Sequence, residues 1–203
     1  MISLRSVYKS YGSIKVLENF NFDIADGESV CIVGKSGCGK STLLKVIALI
    51  ANADKGDIVI DGRNANELKQ AEREELMMKK MAYSFQEPLL IPYMTALENL
   101  TEVVGATKER AVEVLSKLGL SNRLNHKPSR LSVGEKKKVD VARAVLRGSP
   151  LLIADEPLSN LDPTAGLTVM QLLSTHVKSN RGLLIYSSVE PSDSRFAERV
   201  VTM

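Results

Sequence analysis

Gly34-Lys35-Ser36-Gly37-Cys38-Gly39-Lys40-Ser41 fits the phosphate-binding pattern G-x-x-x-x-G-K-[ST] at every fixed position. Its flanks suit such a loop. Ser29-Val30-Cys31-Ile32-Val33 is an apolar run of buried-strand type, and Thr42 to Ile50 is a Leu/Ile/Val/Ala-rich stretch that predicts a helix. Strand, glycine loop and helix N-terminus together aim backbone N–H groups at an anion. The glycines let the chain curl round phosphates without Cβ clashes. Lys40 is placed to reach β- and γ-phosphates, and the Ser41 hydroxyl is placed to ligate Mg²⁺.

Outward from the loop, the first 33 residues predict strands, alternating roughly over Ile2–Tyr8 and more clearly over Val16–Ile24. Gly56–Ile60 predicts a short strand closed by Asp61-Gly62, Glu67–Lys80 a charged helix, and Met81–Phe85 a strand. From Pro88 to Arg130 the texture changes to helices at Thr95–Thr101 and Thr107–Gly119, the latter with Ala111, Val114, Leu115 and Leu118 on one face. An α/β rhythm then returns: helix Ser132–Arg147, strand Leu151–Ala154, helix Pro163–Ser179, strand Gly182–Ser187, and a last strand at Arg199–Thr202. The expected fold is an α/β nucleotide-binding core (1–87 and 149–203) with an N-terminal antiparallel β subdomain and a helical insertion at about 88–148.

Composition narrows the field. With 44% hydrophobic residues the 203-residue chain builds a sizeable core, and with 4% aromatics and no Trp that core is aliphatic. A net charge of +3 does not argue for nucleic acid. Lys136-Lys137-Lys138 is the one dense basic spot, and its expected reading is a solvated helix face. Cys31 and Cys38 make no disulfide framework, which fits a reducing compartment. The start of the chain lacks a signal-peptide pattern, and the longest apolar run, Leu43–Ala51, is short and broken by Lys45. The expectation is a soluble protein whose membrane role, if any, comes through a partner.

Leu151-Leu152-Ile153-Ala154-Asp155-Glu156 is an apolar strand that ends in two carboxylates. Alone this is often only a strand end. With the phosphate loop it forms a Mg²⁺-nucleotide pattern: Asp155 to hold the metal, Glu156 to polarise the attacking water.

Leu131-Ser132-Val133-Gly134-Glu135 opens a helix, and here the chain resembles the ATP-binding subunits of ABC transporters over nearly its whole length. The resemblance implies a P-loop NTPase fold and an ATPase using ATP and Mg²⁺. It implies that Ser132, Gly134 and Glu135 belong to the signature sequence, which binds the γ-phosphate held by the opposite subunit. It places Tyr11 where an aromatic stacks on adenine. The nucleotide cradle is Gly34, Lys35, Ser36, Gly37, Cys38, Gly39, Lys40, Ser41 and Thr42, and Gln86 lies in the loop that contacts Mg²⁺ and water. Ser159-Asn160-Leu161-Asp162 resembles the loop that crosses the dimer interface.

Two positions depart from the family pattern. Val133 stands where a glycine is expected, and a β-branched residue disfavours φ > 0. The switch histidine is replaced: Tyr186-Ser187-Ser188-Val189-Glu190 aligns Ser188 with it, Ser187 being the fallback. His126 and His176 lie in other segments and are expected at the surface. The chain reads as a minimal nucleotide-binding domain.

The first functional reading is the ATP-hydrolysing subunit of an ABC transporter. It pairs with a second such subunit, as homodimer or heterodimer, and drives an integral membrane subunit from the cytoplasmic face through the region Gln86–Tyr93. Leu90-Ile91-Pro92-Tyr93-Met94-Thr95 and Ala154-Asp155-Glu156-Pro157 resemble the lipoprotein-release, macrolide-efflux and cell-division group. Phe85-Gln86-Glu87-Pro88 also resembles importers of sulfonates and nitrate. Two alternatives stand beside this reading: a weakly active or regulatory ATP-binding partner, motivated by Val133 and Ser188, and a soluble ABC-type ATPase of repair or translation.

Overall fold

The computed structural model describes residues 1–179 and 181–203. Two sheets carry the chain. The first is antiparallel, in the order β2-β1-β4-β5, from β1 (Ile2–Tyr11), β2 (Ile14–Ile24), β4 (Lys55–Ile60) and β5 (Arg63–Asn64). The second is parallel, in the order β6-β7-β8-β3-β9, from β3 (Ser29–Val33), β6 (Met81–Ser84), β7 (Leu151–Ala154), β8 (Leu183–Ser188) and β9 (Arg199–Thr202). The helices are α1 (Lys40–Ile47), α2 (Gln70–Lys80), α3 (Glu98–Val104), α4 (Lys108–Lys117), α5 (Val133–Leu146) and α6 (Pro163–Ser179).

The parallel strands are apolar runs because both faces of their sheet are covered. Cys31, Leu152, Leu184 and Tyr186 point into one cluster with Leu100, Leu115, Val141 and Leu173 from the helices. Val30, Ile32, Ile153 and Ile185 point the other way, onto Leu43, Ile47, Leu4 and Ile24 of α1 and the antiparallel sheet. This alternation with period two builds a sheet buried between two aliphatic layers. Truncating Leu152, fully buried at its centre, to Ala is expected to cost about 2–5 kcal/mol.

The antiparallel sheet is irregular where β1 shifts register between Leu4 and Val7. Gly56 opposes that shift with φ 90°, and a Cβ there would lie 2.2 Å from the Ser6 carbonyl. That close backbone approach demands glycine.

The expected strands and helices are present, with ends that differ by a few residues. The short β5 has no counterpart among the expected strands. The α-helix begins at Glu98, but the turn before it is capped by Thr95, whose hydroxyl accepts the Glu98 amide while the Glu98 carboxylate accepts the Thr95 amide. The expected insertion at 88–148 shares its core with the rest of the chain. Val139 and Val141 of α5 lie in the same cluster as Leu152 and Ala154 of β7.

One expectation fails outright. The Lys136–Lys138 run is not a solvated face, since Lys137 is only 1% exposed. His176 is half-buried, with its ring Nε2 3.2 Å from the Ser149 carbonyl, and His126 is half-buried as well.

Candidate active site

Strand order decides which residues meet. β8 lies between β3 and β7, so the phosphate loop after β3 and the acidic pair after β7 leave the same edge with the end of β8 between them. Ligands of open α/β sheets bind at such carboxyl edges.

The phosphate loop turns through Gly37 at φ 80° and Gly39 at φ 108°, and a Cβ on Gly39 would sit 2.6 Å from Val16 Cγ1. Gly34 is equally constrained, by Cys38 Sγ 2.6 Å from where its Cβ would be. Lys35, Ser36 and Gly37 are exposed at the loop's crest; Ser41 and Thr42, in the first turn of α1, are half-buried. Lys40 folds under the loop. Its ammonium donates to the Gly34 and Lys35 carbonyls at 2.9 and 3.1 Å and lies 3.7 Å from Glu156 Oε1. Both cysteines are free thiols, and burial pushes the Cys31 thiol up to about 11.

Glu156 adopts φ 46°, a left-handed backbone that a non-glycine residue reaches at a cost of about 1–3 kcal/mol. Its Oε2 accepts from the Gln86 amide at 3.3 Å. Its own backbone N–H donates to the Ser187 hydroxyl at 2.9 Å, and that hydroxyl donates to Asp155 Oδ1 at 2.7 Å. Tyr83 reaches Asp155 Oδ2 at 3.4 Å; burial, and then the Asp155 charge, raise the phenol above its ordinary range. Lys40, Gln86, Asp155 and Glu156 thus form one connected group, with Ser187 as its hinge. Sequence reasoning kept Ser187 only as a fallback.

Ser188 borders the same small cavity as Glu156, but its hydrogen bonds go elsewhere. Successive strand side chains point oppositely, so with Ser187 on Asp155, Ser188 turns to the other side. Its hydroxyl donates to Asp193 Oδ2 at 2.6 Å and accepts from the Glu190 amide at 3.0 Å. A hydroxyl has one proton to give, and here it goes to Asp193. The next residue, Val189, is 40% exposed and lines that cavity with Ser188, Glu156 and Ser159. Sequence reasoning passed over Val189 because an apolar residue at a strand exit carries no chemical signal.

Ser132 caps α5. Its hydroxyl accepts from the Glu135 amide at 3.1 Å and Glu135 Oε2 accepts from the Ser132 amide at 2.8 Å, a reciprocal capping box. Arg123 binds Glu135 Oε1 at 2.8 Å. Glu135 is therefore occupied within its own chain. Gly134 packs on the 159–162 loop, where a Cβ would meet the Asn160 carbonyl at 2.8 Å. Val133 is the first residue of α5, 56% exposed, and is absent from the left-handed residues. Of the two outcomes open for a valine here, a tolerated backbone or a weakened phosphate contact, the backbone is one that valine tolerates, since the first helical turn suits any L-residue. Tyr11, half-exposed on β1, lies under the Lys9 ammonium at 5.2 Å.

Ser41, Gln86 and Asp155 border one cavity of about 450 Å³, with Lys45 and Glu87 at its rim. A hydroxyl, an amide oxygen and a carboxylate are the hard oxygen donors that Mg²⁺ takes beside phosphate oxygens, so this set fits that ion.

The family profile described as ABC transporter matches residues 17–159. The lipoprotein-releasing system ATP-binding protein LolD of Bacteroides fragilis is 43% identical over 169 residues, covering 80% of this chain and 78% of that protein. The macrolide export ATP-binding/permease protein MacB of Pasteurella multocida is 34% identical over the whole of this chain, which spans 33% of it. Among solved structures, the dimeric post-hydrolysis state of the ATP-binding cassette MJ0796 bound to ADP and Pi superposes with a TM-score of 0.92. It is 34% identical, covering 100% of this chain and 94% of that one. MJ0796 is an ABC transporter ATP-binding protein of Methanocaldococcus jannaschii.

Proposed function

The chain belongs to the ABC transporter family, as an ATP-binding subunit related to the lipoprotein-release and macrolide-export ATPases, and from that premise we propose how its residues act. It is an ATP-hydrolysing subunit that works as a dimer. The observation that carries the residue assignment is the connected group Lys40–Glu156–Gln86, with Ser187 joining Glu156 to Asp155.

The phosphate loop from Gly34 to Thr42 wraps the phosphates, and Lys40 gives its charge to the β- and γ-oxygens. Tyr11 offers its exposed ring to the adenine. Ser41, Asp155 and Gln86 would hold Mg²⁺, which would supply Lewis-acid screening of the phosphate charge. Glu156 accepts a hydrogen bond from the attacking water and draws off its proton as the bond to phosphorus forms, while Gln86 fixes the carboxylate's direction. In the dimer, Ser132 and Gly134 at the start of α5 meet the γ-phosphate held by the opposite subunit, with Val133 on that face. Glu135 acts there by holding the cap rather than by touching nucleotide.

A membrane subunit docks on the groove between α2 and α3. It is lined by Met77, Met78, Tyr83, Phe85, Val103 and Arg147, and Leu89 and Tyr93 are exposed in the segment that follows Gln86. No helix of the described residues is long and apolar enough to cross a membrane. Attachment to the cytoplasmic face would run through that partner. MacB joins ATP-binding and permease functions in one named protein, which supports such a pairing. Residues 88–148 form the arm that carries both the groove's rim and the signature.

Slow hydrolysis by the isolated chain is a second reading, favoured by one observation: an apolar Val189 borders Glu156 where a hydrogen-bonding side chain would stabilise the γ-phosphate. The test is nucleotide binding and turnover of the purified chain beside Lys40→Ala. Loss of binding in that variant supports the assignment; unchanged binding removes Lys40 from it.

A further inference from the structure

Lys137 is buried in the middle of α5, and the mechanism above does not use it. Taking an ammonium out of water costs several kcal/mol unless it is well paired, so its surroundings are informative. Its Nζ donates to three backbone carbonyls: Phe85 at 2.8 Å, Gln86 at 2.6 Å and Asp155 at 3.4 Å. Two of these are the carbonyls of the residues assigned to Mg²⁺ and water. Three positions further along the same helix face, Asp140 is fully buried and accepts from the Ser84 hydroxyl at 2.8 Å and the Phe85 amide at 2.9 Å. Another three positions on, Arg143 binds Asp140 at 2.6 Å and the Leu89 carbonyl at 2.7 Å.

With a rise of 1.5 Å per residue, this row covers about 9 Å of helix. It grips the Ser84 hydroxyl and the backbone of Phe85, Gln86 and Leu89, and leaves the Gln86 side chain to reach Glu156. Burial lowers the Lys137 pKa, and the charges of Asp140, Asp155 and Glu156 oppose that; burial raises Asp140, and Arg143 opposes it.

We propose that Lys137, with Asp140 and Arg143, is a positioning device for Gln86, clamping the 84–89 segment to the helix that begins with the signature. The proposal rests on the hydrolytic roles assigned to Gln86 and Glu156. Its consequence is mechanical. The start of α5 meets the nucleotide of the opposite subunit, so a shift of α5 moves Gln86 in its own site.

The test uses the full chain with Lys137→Met, and with Lys137→Gln, which keeps N–H donors, each alone and with Gln86→Ala. Backbone hydrogen exchange without nucleotide is read at 85–89. In Lys137→Met, exchange there rises about tenfold while 34–42 is unchanged, kcat falls about tenfold, and KM for MgATP stays within about twofold. On the Gln86→Ala background the same change costs less than about twofold, and Lys137→Gln restores most of the loss. Unaltered exchange at 85–89, or an equal loss of kcat with and without Gln86, overturns the clamp. If Lys137→Met does not fold, Asp140→Asn replaces it in the same cycle with the same two criteria. If the wild type binds ATP without turning it over, the hydrolytic assignment falls, and exchange at 85–89 still decides the clamp.

Discussion

The Ser187 hydroxyl donates to Asp155 Oδ1 at 2.7 Å while accepting the backbone N–H of Glu156 at 2.9 Å, so one small side chain of β8 holds both acidic residues at the end of β7. Without it, Asp155 loses its partner on that oxygen, and the left-handed Glu156 backbone loses the bond that secures it. Ser187→Ala is expected to lower kcat about tenfold with ATP affinity nearly unchanged, and Ser187→Thr to keep most of the activity. Steady-state kinetics checks this. Equal activity in the alanine variant means that the acidic pair needs no such support.

The exit of β8 gives a second prediction. Val189→His places a hydrogen-bonding ring beside Glu156 and is expected to raise turnover, by up to about a hundredfold if the ring reaches the γ-phosphate. Ser188→His is expected to lower stability instead, because it removes the bond to Asp193 from a buried site. Turnover and thermal melting of the two variants separate the cases. A gain from Ser188→His and none from Val189→His would reverse the assignment.

The signature cap gives a third. Ser132→Ala is expected to cost about 1 kcal/mol and to lower Tm by about 2–4 °C. The bond from Arg123, and then that from the Ser132 amide, hold the Glu135 carboxyl below its ordinary value of 4.5. A carboxyl depressed in the folded state stabilises fully above its unfolded pKa, and that stability drains as pH falls through the folded value. Below about pH 4.5 wild type therefore loses stability more steeply than Glu135→Gln. Denaturant midpoints at pH 7 and pH 4 for both proteins check this, and parallel losses contradict it.

The sequence disclosed what depends on local pattern. The phosphate loop with its strand and helix, the apolar strand ending in Asp155 and Glu156, and the Ser132 cap were legible because the chemistry demands fixed residues at fixed spacing. It did not disclose what depends on strand order. Ser187 and Ser188 are identical in type, and only the insertion of β8 between β3 and β7, with alternation along the strand, turns one to Asp155 and the other to Asp193. Lys137 misled for a similar reason. Three consecutive lysines look like a wet face, yet the middle one turns inward to three carbonyls contributed by β6 and β7 loops far off in sequence. Whether Val133 is tolerated depends on its backbone, which the sequence does not show. At the first turn of a helix it is tolerated.

In the mechanism we propose, Glu156 draws the proton from the attacking water while Lys40 and the phosphate loop hold ATP. Glu156→Gln keeps the shape of the side chain and removes its charge. The measurement is size-exclusion chromatography of that variant with MgATP, with turnover recorded on the same sample. A stable ATP-loaded dimer and a kcat reduced by about a hundredfold or more are expected. A variant that hydrolyses ATP at the wild-type rate and stays monomeric would contradict it.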